Sequence, residues 1–139
     1  MEMGFEILDI SGDVGLRVRG RSLDELFVNS ALGLYSLITD ISRVEPADST
    51  DIRLESETLD GLFIGWLNEL IFRFDTYGFI GREIHVESVT EKRIEARIRG
   101  EDFDPERHER GFLVKAATYH DLKIERKGDT WIAEVVLDI

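Results

Sequence analysis

The sequence predicts an α+β domain, with antiparallel β-sheet covered on one side by two amphipathic helices. Three observations lead there. Val14, Leu16 and Val18 alternate with Gly15, Arg17 and Arg19, the period-two pattern of a strand with one wet face. Two longer stretches repeat apolar residues at helical spacing. The closing run, Trp131 to Ile139, has strong β-propensity and no breaker.

The elements follow in order. Phe5 to Ile10 forms a first strand, and the alternating run after it forms a second that Gly20 ends. Ser22-Leu23-Asp24-Glu25 is a capping box: the serine caps the helix start and the glutamate three residues on reaches back. Leu23, Leu26, Phe27, Ala31, Leu34, Tyr35 and Ile38 then share a helical face that fades near Asp40. Ile52 and Leu54 mark a short strand. A second helix runs from about Leu59 to Tyr77, the most apolar element and the expected centre of the core, with Gly78 as its C-cap. The remainder is β: Ile84 and Val86, then Ile94, Ala96 and Ile98, then Ala117 to Glu125 and Trp131 to Ile139. Lys127-Gly128-Asp129 turns the last two into a hairpin. No linker, repeat or low-complexity tract interrupts residues 1–139, so a single domain is expected.

Composition narrows the function. Apolar residues make up 42% and charged residues 33%, typical of a globular chain. No apolar run is long enough for a membrane span and no signal peptide opens the chain, so a cytoplasmic protein is expected. The absence of cysteine excludes disulfides, thiolate metal sites and cysteine nucleophiles. The net charge of −12 argues against strong direct binding to nucleic acid, which relies on Lys and Arg to neutralise phosphates. Arg17, Arg19 and Arg21, and Arg93, Arg97 and Arg99, are the densest basic clusters, and their strand spacing reads as solvated sheet face.

Four segments resist a pure packing account. In Leu8 to Gly15, Asp9 and Asp13 flank a Ser-Gly turn; turn chemistry explains them, unless the turn lies beside the C-terminus and Asp13 adds an oxygen ligand there. In Val114 to Leu122, Lys115, Thr118 and His120 punctuate a small or apolar run, with a surface or core histidine as the plain alternative. Phe103 to Glu109 is a charged stretch whose default reading is a solvated loop. Trp66 to Leu70 reads as core helix with Asn68 and Glu69 on its polar side.

The chain end is more telling. An apolar strand delivers the Asp138 carboxylate and the α-carboxylate of Ile139 to one point. Neighbouring negative charges disfavour one another unless a cation sits between them. Oxygen-only ligation suits Ca²⁺, Mg²⁺ or Mn²⁺ rather than zinc.

Five blocks in register, Asp9 to Gly15, Ala31 to Asp40, Trp66 to Thr76, Lys115 to His120 and Val136 to Ile139, are similar to those of the archease family, over essentially the whole chain. One departure is visible. Archeases commonly read Asp-His-Thr-Ala-Asp in the first block, whereas Asp9-Ile10-Ser11-Gly12-Asp13 stands here, so the place of that histidine is taken by Ile10.

The resemblance implies an accessory protein rather than an enzyme. Archeases assist the GTP-dependent tRNA-splicing RNA ligase, promote guanylylation of its active-site histidine, sustain multiple turnover and broaden its nucleotide use. A tRNA cytosine methyltransferase is the alternative partner. The family's metal site falls on Asp13, Asp138 and the carboxylate of Ile139, with calcium the expected ion and magnesium or manganese the alternatives. Asp9, Asp40, Lys115 and His120 lie in the matched blocks and are candidate partner contacts. The rival class is a small metal-dependent phosphoester hydrolase built on Asp9, Asp13 and Asp138. Against it, Gly12 and Gly15 are an isolated pair and not a phosphate-cradling loop, and no nucleophile–base pair stands out.

Overall fold

A computed structural model describes residues 4–139. Strands β1 (Phe5–Ile10) and β2 (Asp13–Gly20) precede helix α1 (Leu23–Ile38), a 3₁₀ turn (Ile41–Arg43) and β3 (Asp48–Glu55). Helix α2 (Leu59–Tyr77) leads into β4 (Phe79–Val89), β5 (Arg93–Asp102), β6 (Ala116–Lys127) and β7 (Thr130–Asp138). The strands form two antiparallel sheets, ordered β1-β2-β7-β6 and β3-β5-β4. Each helix touches strands of both sheets, so the expected α+β arrangement holds with the β-layer divided in two.

Local chemistry explains the helix limits. Ser22 Oγ accepts the Glu25 N–H at 3.2 Å, so among the described residues only the serine half of the capping box forms. Thr58 Oγ1 does the same for Gly61 at the start of α2. Gly78 ends α2 at φ +74°, the left-handed conformation that a glycine adopts without strain, and its N–H reaches the Phe74 carbonyl.

The core is built where α1 and α2 meet. Trp66, Phe27 and Phe63 are fully buried, with Phe27 edge-on to Phe63 at 5.6 Å and to Trp66 at 6.0 Å. The Trp66 indole N–H donates to the Phe27 carbonyl at 3.1 Å, which satisfies the one polar atom of that cluster. Val14, Leu16 and Val18 seal α1 from the sheet side. Burying such side chains contributes roughly 1.5–3 kcal/mol each.

Several arginines of the basic clusters are ion-paired in place. Arg17 donates to Glu6 at 2.8 Å and to Glu134 at 3.1 Å, Arg97 to Asp51 at 2.8 Å, and Arg93 pairs with Glu95. The Arg17 and Arg97 pairs run across strands and the Arg93–Glu95 pair runs along β5, all on the sheet exteriors as the alternation predicts. Among the described residues no helix is long and apolar enough to cross a membrane.

Candidate functional site

The corner where β1, β2 and β7 end is assembled by strand register. β1 and β2 are joined by Ser11 and Gly12 at φ +30° and +90°, and Ile10 pairs with Asp13 across them. Both turn residues therefore have positive φ, the signature of a two-residue type I′ hairpin, and glycine relieves the strain at the second. Val14 pairs with Leu137, and both are buried. Side chains alternate along a strand, so Asp13 and Asp138, one step further on each, lie opposite one another on the other face. Asp9 pairs with Val14 and so belongs to the Val14 face, not to the face shared by Asp13 and Asp138.

A cleft of about 280 Å³ opens at this corner, lined by Ile7, Leu8, Asp9, Gly12, Asp13, Val14, Phe112 and Ile139. Asp9, Asp13 and Ile139 thus come together across 130 residues of sequence, as the position of the turn beside the chain end requires. Among the described residues, Asp9, Asp13 and Asp138 have no ion-pair partner. No three His, Cys, Asp or Glu side chains there stand close enough to hold a metal ion. A hard cation at this corner therefore needs main-chain or terminal oxygen beside the two aspartates. The donors at hand are all oxygen and carry unpaired negative charge, which fits Ca²⁺, Mg²⁺ or Mn²⁺.

The other expected contacts divide. The Lys115 N–H donates to the Asp138 carbonyl at 2.8 Å, so Lys115 flanks the corner with an exposed side chain. His120 lies further up β6, in a break where Tyr119 to Leu122 face the single residue Val135. Three strand positions separate Val135 from Asp138, on the order of 10 Å. Within that break Asp121 has φ +54°, and its carboxylate lies 3.3 Å from His120 Nε2 in the open. Asp40 is occupied as the N-cap of the 3₁₀ turn: its carboxylate accepts the Ser42 hydroxyl at 2.7 Å and the Ser42 N–H at 3.1 Å. Those two bonds, the hydroxyl first, hold its carboxyl below the usual range.

Three features escaped the sequence reading. Asn68 clamps the start of β6, accepting the Ala117 N–H at 2.8 Å and donating to the Ala117 carbonyl at 3.2 Å. Its place on a helix in the run Trp-Leu-Asn-Glu-Leu gives no hint of that partner. Phe103 to Glu109 is not simply a solvated loop, because His108 is 2% exposed and is anchored on Glu101. Burial of a histidine between Arg107 and Glu109 overrides the local polarity because Glu101 offers it a hydrogen bond. Phe112, finally, reaches the cleft from the β5–β6 connection; an apolar Phe112-Leu113 pair in a charged stretch was its available signal.

Residues 5–139 match the model of the Archease protein family. The archease of Sulfurisphaera tokodaii is 36% identical over 137 residues, covering 97% of this chain and 98% of its own. That of Pyrococcus abyssi is 37% identical over 139 residues, again covering 97% and 98%. The solution structure of Methanobacterium thermoautotrophicum protein 1598 superimposes with a TM-score of 0.82 at 32% identity, covering 99% of this chain and 100% of that one. A crystal structure of a Thermotoga maritima archease, described as a possible chaperone, shares the fold at TM-score 0.67 and 21% identity over 95% of this chain and 94% of its own.

Proposed function

The chain belongs to the archease family, and from that premise we propose that it is a cytoplasmic accessory protein of the GTP-dependent tRNA-splicing RNA ligase. In this reading it promotes guanylylation of the ligase, sustains repeated turnover and broadens nucleotide use, without catalysing a reaction itself. The observation that carries the proposal is the gathering of Asp13, Asp138 and Ile139 at one corner by the register of β2 and β7.

The oxygen donors of that corner hold a divalent ion, with calcium first and magnesium or manganese as alternatives. Such an ion supplies positive charge where a phosphoryl or nucleotidyl group carries negative charge. Asp13 and Asp138 act from adjacent strands, and the type I′ turn fixes the first of them. Asn68 sets the position of β6 beside the second. Lys115, tied to the Asp138 carbonyl by its backbone, brings an exposed cation to the same end of the sheet. Asp9 and His120 stand off this face and contact the partner.

Single-turnover guanylylation of the purified ligase, with and without this protein and across the three metals, tests the reading. The protein is expected to accelerate the step, and both Asp138→Asn and an extension beyond Ile139 are expected to abolish the acceleration while the domain stays folded. Full stimulation by the extended protein removes the terminal carboxylate from the site. No stimulation by the wild type rejects the ligase assignment, and phosphoester turnover by the protein alone favours the hydrolase class.

A further inference from the structure

The connection from β5 to β6 presents apolar side chains to solvent although it is pinned to the body along its length. Thr39 Oγ1 donates to the Glu109 carbonyl at 2.6 Å, the Gly111 N–H to the Ile38 carbonyl at 2.8 Å, and the Phe112 N–H to the Leu37 carbonyl at 2.8 Å. Val114 is then buried, and the Lys115 N–H is bound to Asp138. Between these anchors Phe112 is 46% and Leu113 68% exposed. A strap tied on both sides of an aromatic-aliphatic pair cannot turn that pair inward. Phe112 shares its cleft with Ile7, itself 50% exposed, and with Ile139, and the acidic residues Asp9 and Asp13 border the same cleft. Exposed apolar residues gathered beside like charges mark a docking site.

The geometry points to this face as the seat of a protein segment that presents an aliphatic side chain flanked by lysine or arginine. The inference rests on the partner reading above and deepens it by naming the surface and the chemistry of what it takes. Charge selects the occupant. The unpaired carboxylates at the cleft and the net charge of −12 repel RNA and anionic lipid, and a second copy of this chain would bring the same acidic side chains with it. A basic-flanked apolar segment meets both requirements: its aliphatic group covers Phe112 and the neighbouring Leu113, and its cations face Asp9, which the proposed metal site leaves free.

Leu113→Ser and Phe112→Ala, titrated against the purified ligase by calorimetry and in the guanylylation assay, separate docking from chemistry. Leu113 is exposed, so its variant keeps the wild-type melt and guards against misfolding in the Phe112 variant. The expected result is a roughly tenfold weaker Kd, typical of losing an anchoring side chain, with full stimulation restored at saturating protein. Asp9→Asn is expected to reduce the salt dependence of association. An unchanged Kd in both strap variants overturns the docking surface even when the wild type stimulates normally. Binding that depends on Leu113 without any stimulation upholds the surface and rejects the ligase role. A dimer in sedimentation that Leu113→Ser dissolves shows that a second copy covers the face, and also overturns the proposal.

Discussion

His108 Nε2 lies 3.1 Å from Glu101 Oε2, with the imidazole ring fully shielded from solvent. The Asp104 N–H donates to Nδ1 at 2.8 Å, so the ring proton sits on Nε2 and is donated to the carboxylate. Glu101 also accepts from the Arg107 guanidinium at 2.6 Å and from the Glu45 N–H at 2.7 Å. One carboxylate at the end of β5 thereby fastens the start of the strap and the segment that leads into β3. Phe103 stacks against His108 at 5.4 Å and Arg110 lies over Phe103 at 5.2 Å, which closes the knot.

That knot makes stability depend on acid. Arg107 above all, with the Glu45 amide and His108, lowers the Glu101 carboxyl from its ordinary 4.5 to about 2. A depressed folded-state value means stability that is present above the unfolded value and lost as pH falls through the folded one. The loss should span about pH 4.5 down to about pH 2 and amount to roughly 1–3 kcal/mol. Denaturant melts of wild type and Glu101→Gln at both ends of that range check it. The variant should be less stable near neutrality, and the gap should shrink in acid. A gap of constant size would show that the carboxylate's ionisation contributes nothing.

Asn68 carries a second prediction. Its amide bridges both main-chain polar groups of Ala117, on the β6 residue that pairs with Leu137. Asn68→Ala leaves those half-buried groups without their partner and should cost roughly 1–3 kcal/mol. Amide exchange should quicken at Ala117 while the Phe27–Trp66 centre stays protected. Uniform acceleration over the whole chain would mean that Asn68 supports the fold generally and not the β6 start.

Asn68 also shows where sequence stops being legible. Period-two and period-3.6 patterns located the elements, because burial of one face is written into neighbouring residues; α2 runs from Leu59 to Tyr77 as its spacing predicts. The Asp13–Asp138 corner was legible too, since a turn beside the first strands and an apolar strand at the chain end need only antiparallel pairing to meet. What a polar side chain bonds across 49 residues is decided by tertiary placement, as Asn68 and Ala117 show. The same holds for His108, whose burial depends on Glu101. It holds as well for the break at Tyr119 to Leu122, which interrupts the one-to-one register that simple alternation along β6 predicts. The division of the strands into two sheets has the same origin, because alternation describes a strand's faces and not its neighbour.

Opposed charges at the corner yield the last prediction, in which one substitution acts with opposite signs on two states. Asp13 and Asp138 stand across from one another on β2 and β7 without an ion-pair partner among the described residues. Like charges directly opposed on a sheet destabilise it by roughly 0.2–1 kcal/mol. Without metal, Asp138→Asn should therefore melt slightly higher than wild type at low salt, and the difference should fade as salt screens the pair. Calcium at about 100 times its Kd stabilises a one-site protein by roughly 2.7 kcal/mol, which for a domain of this size raises Tm by on the order of 10 °C. Chelator should reverse that rise in the wild type, and Asp138→Asn should lose most of it. The metal-free gain tests the proximity of the two carboxylates, and the calcium response tests their use as ligands. An equal calcium shift in both proteins would leave the repulsion intact and take Asp138 out of the ligand set.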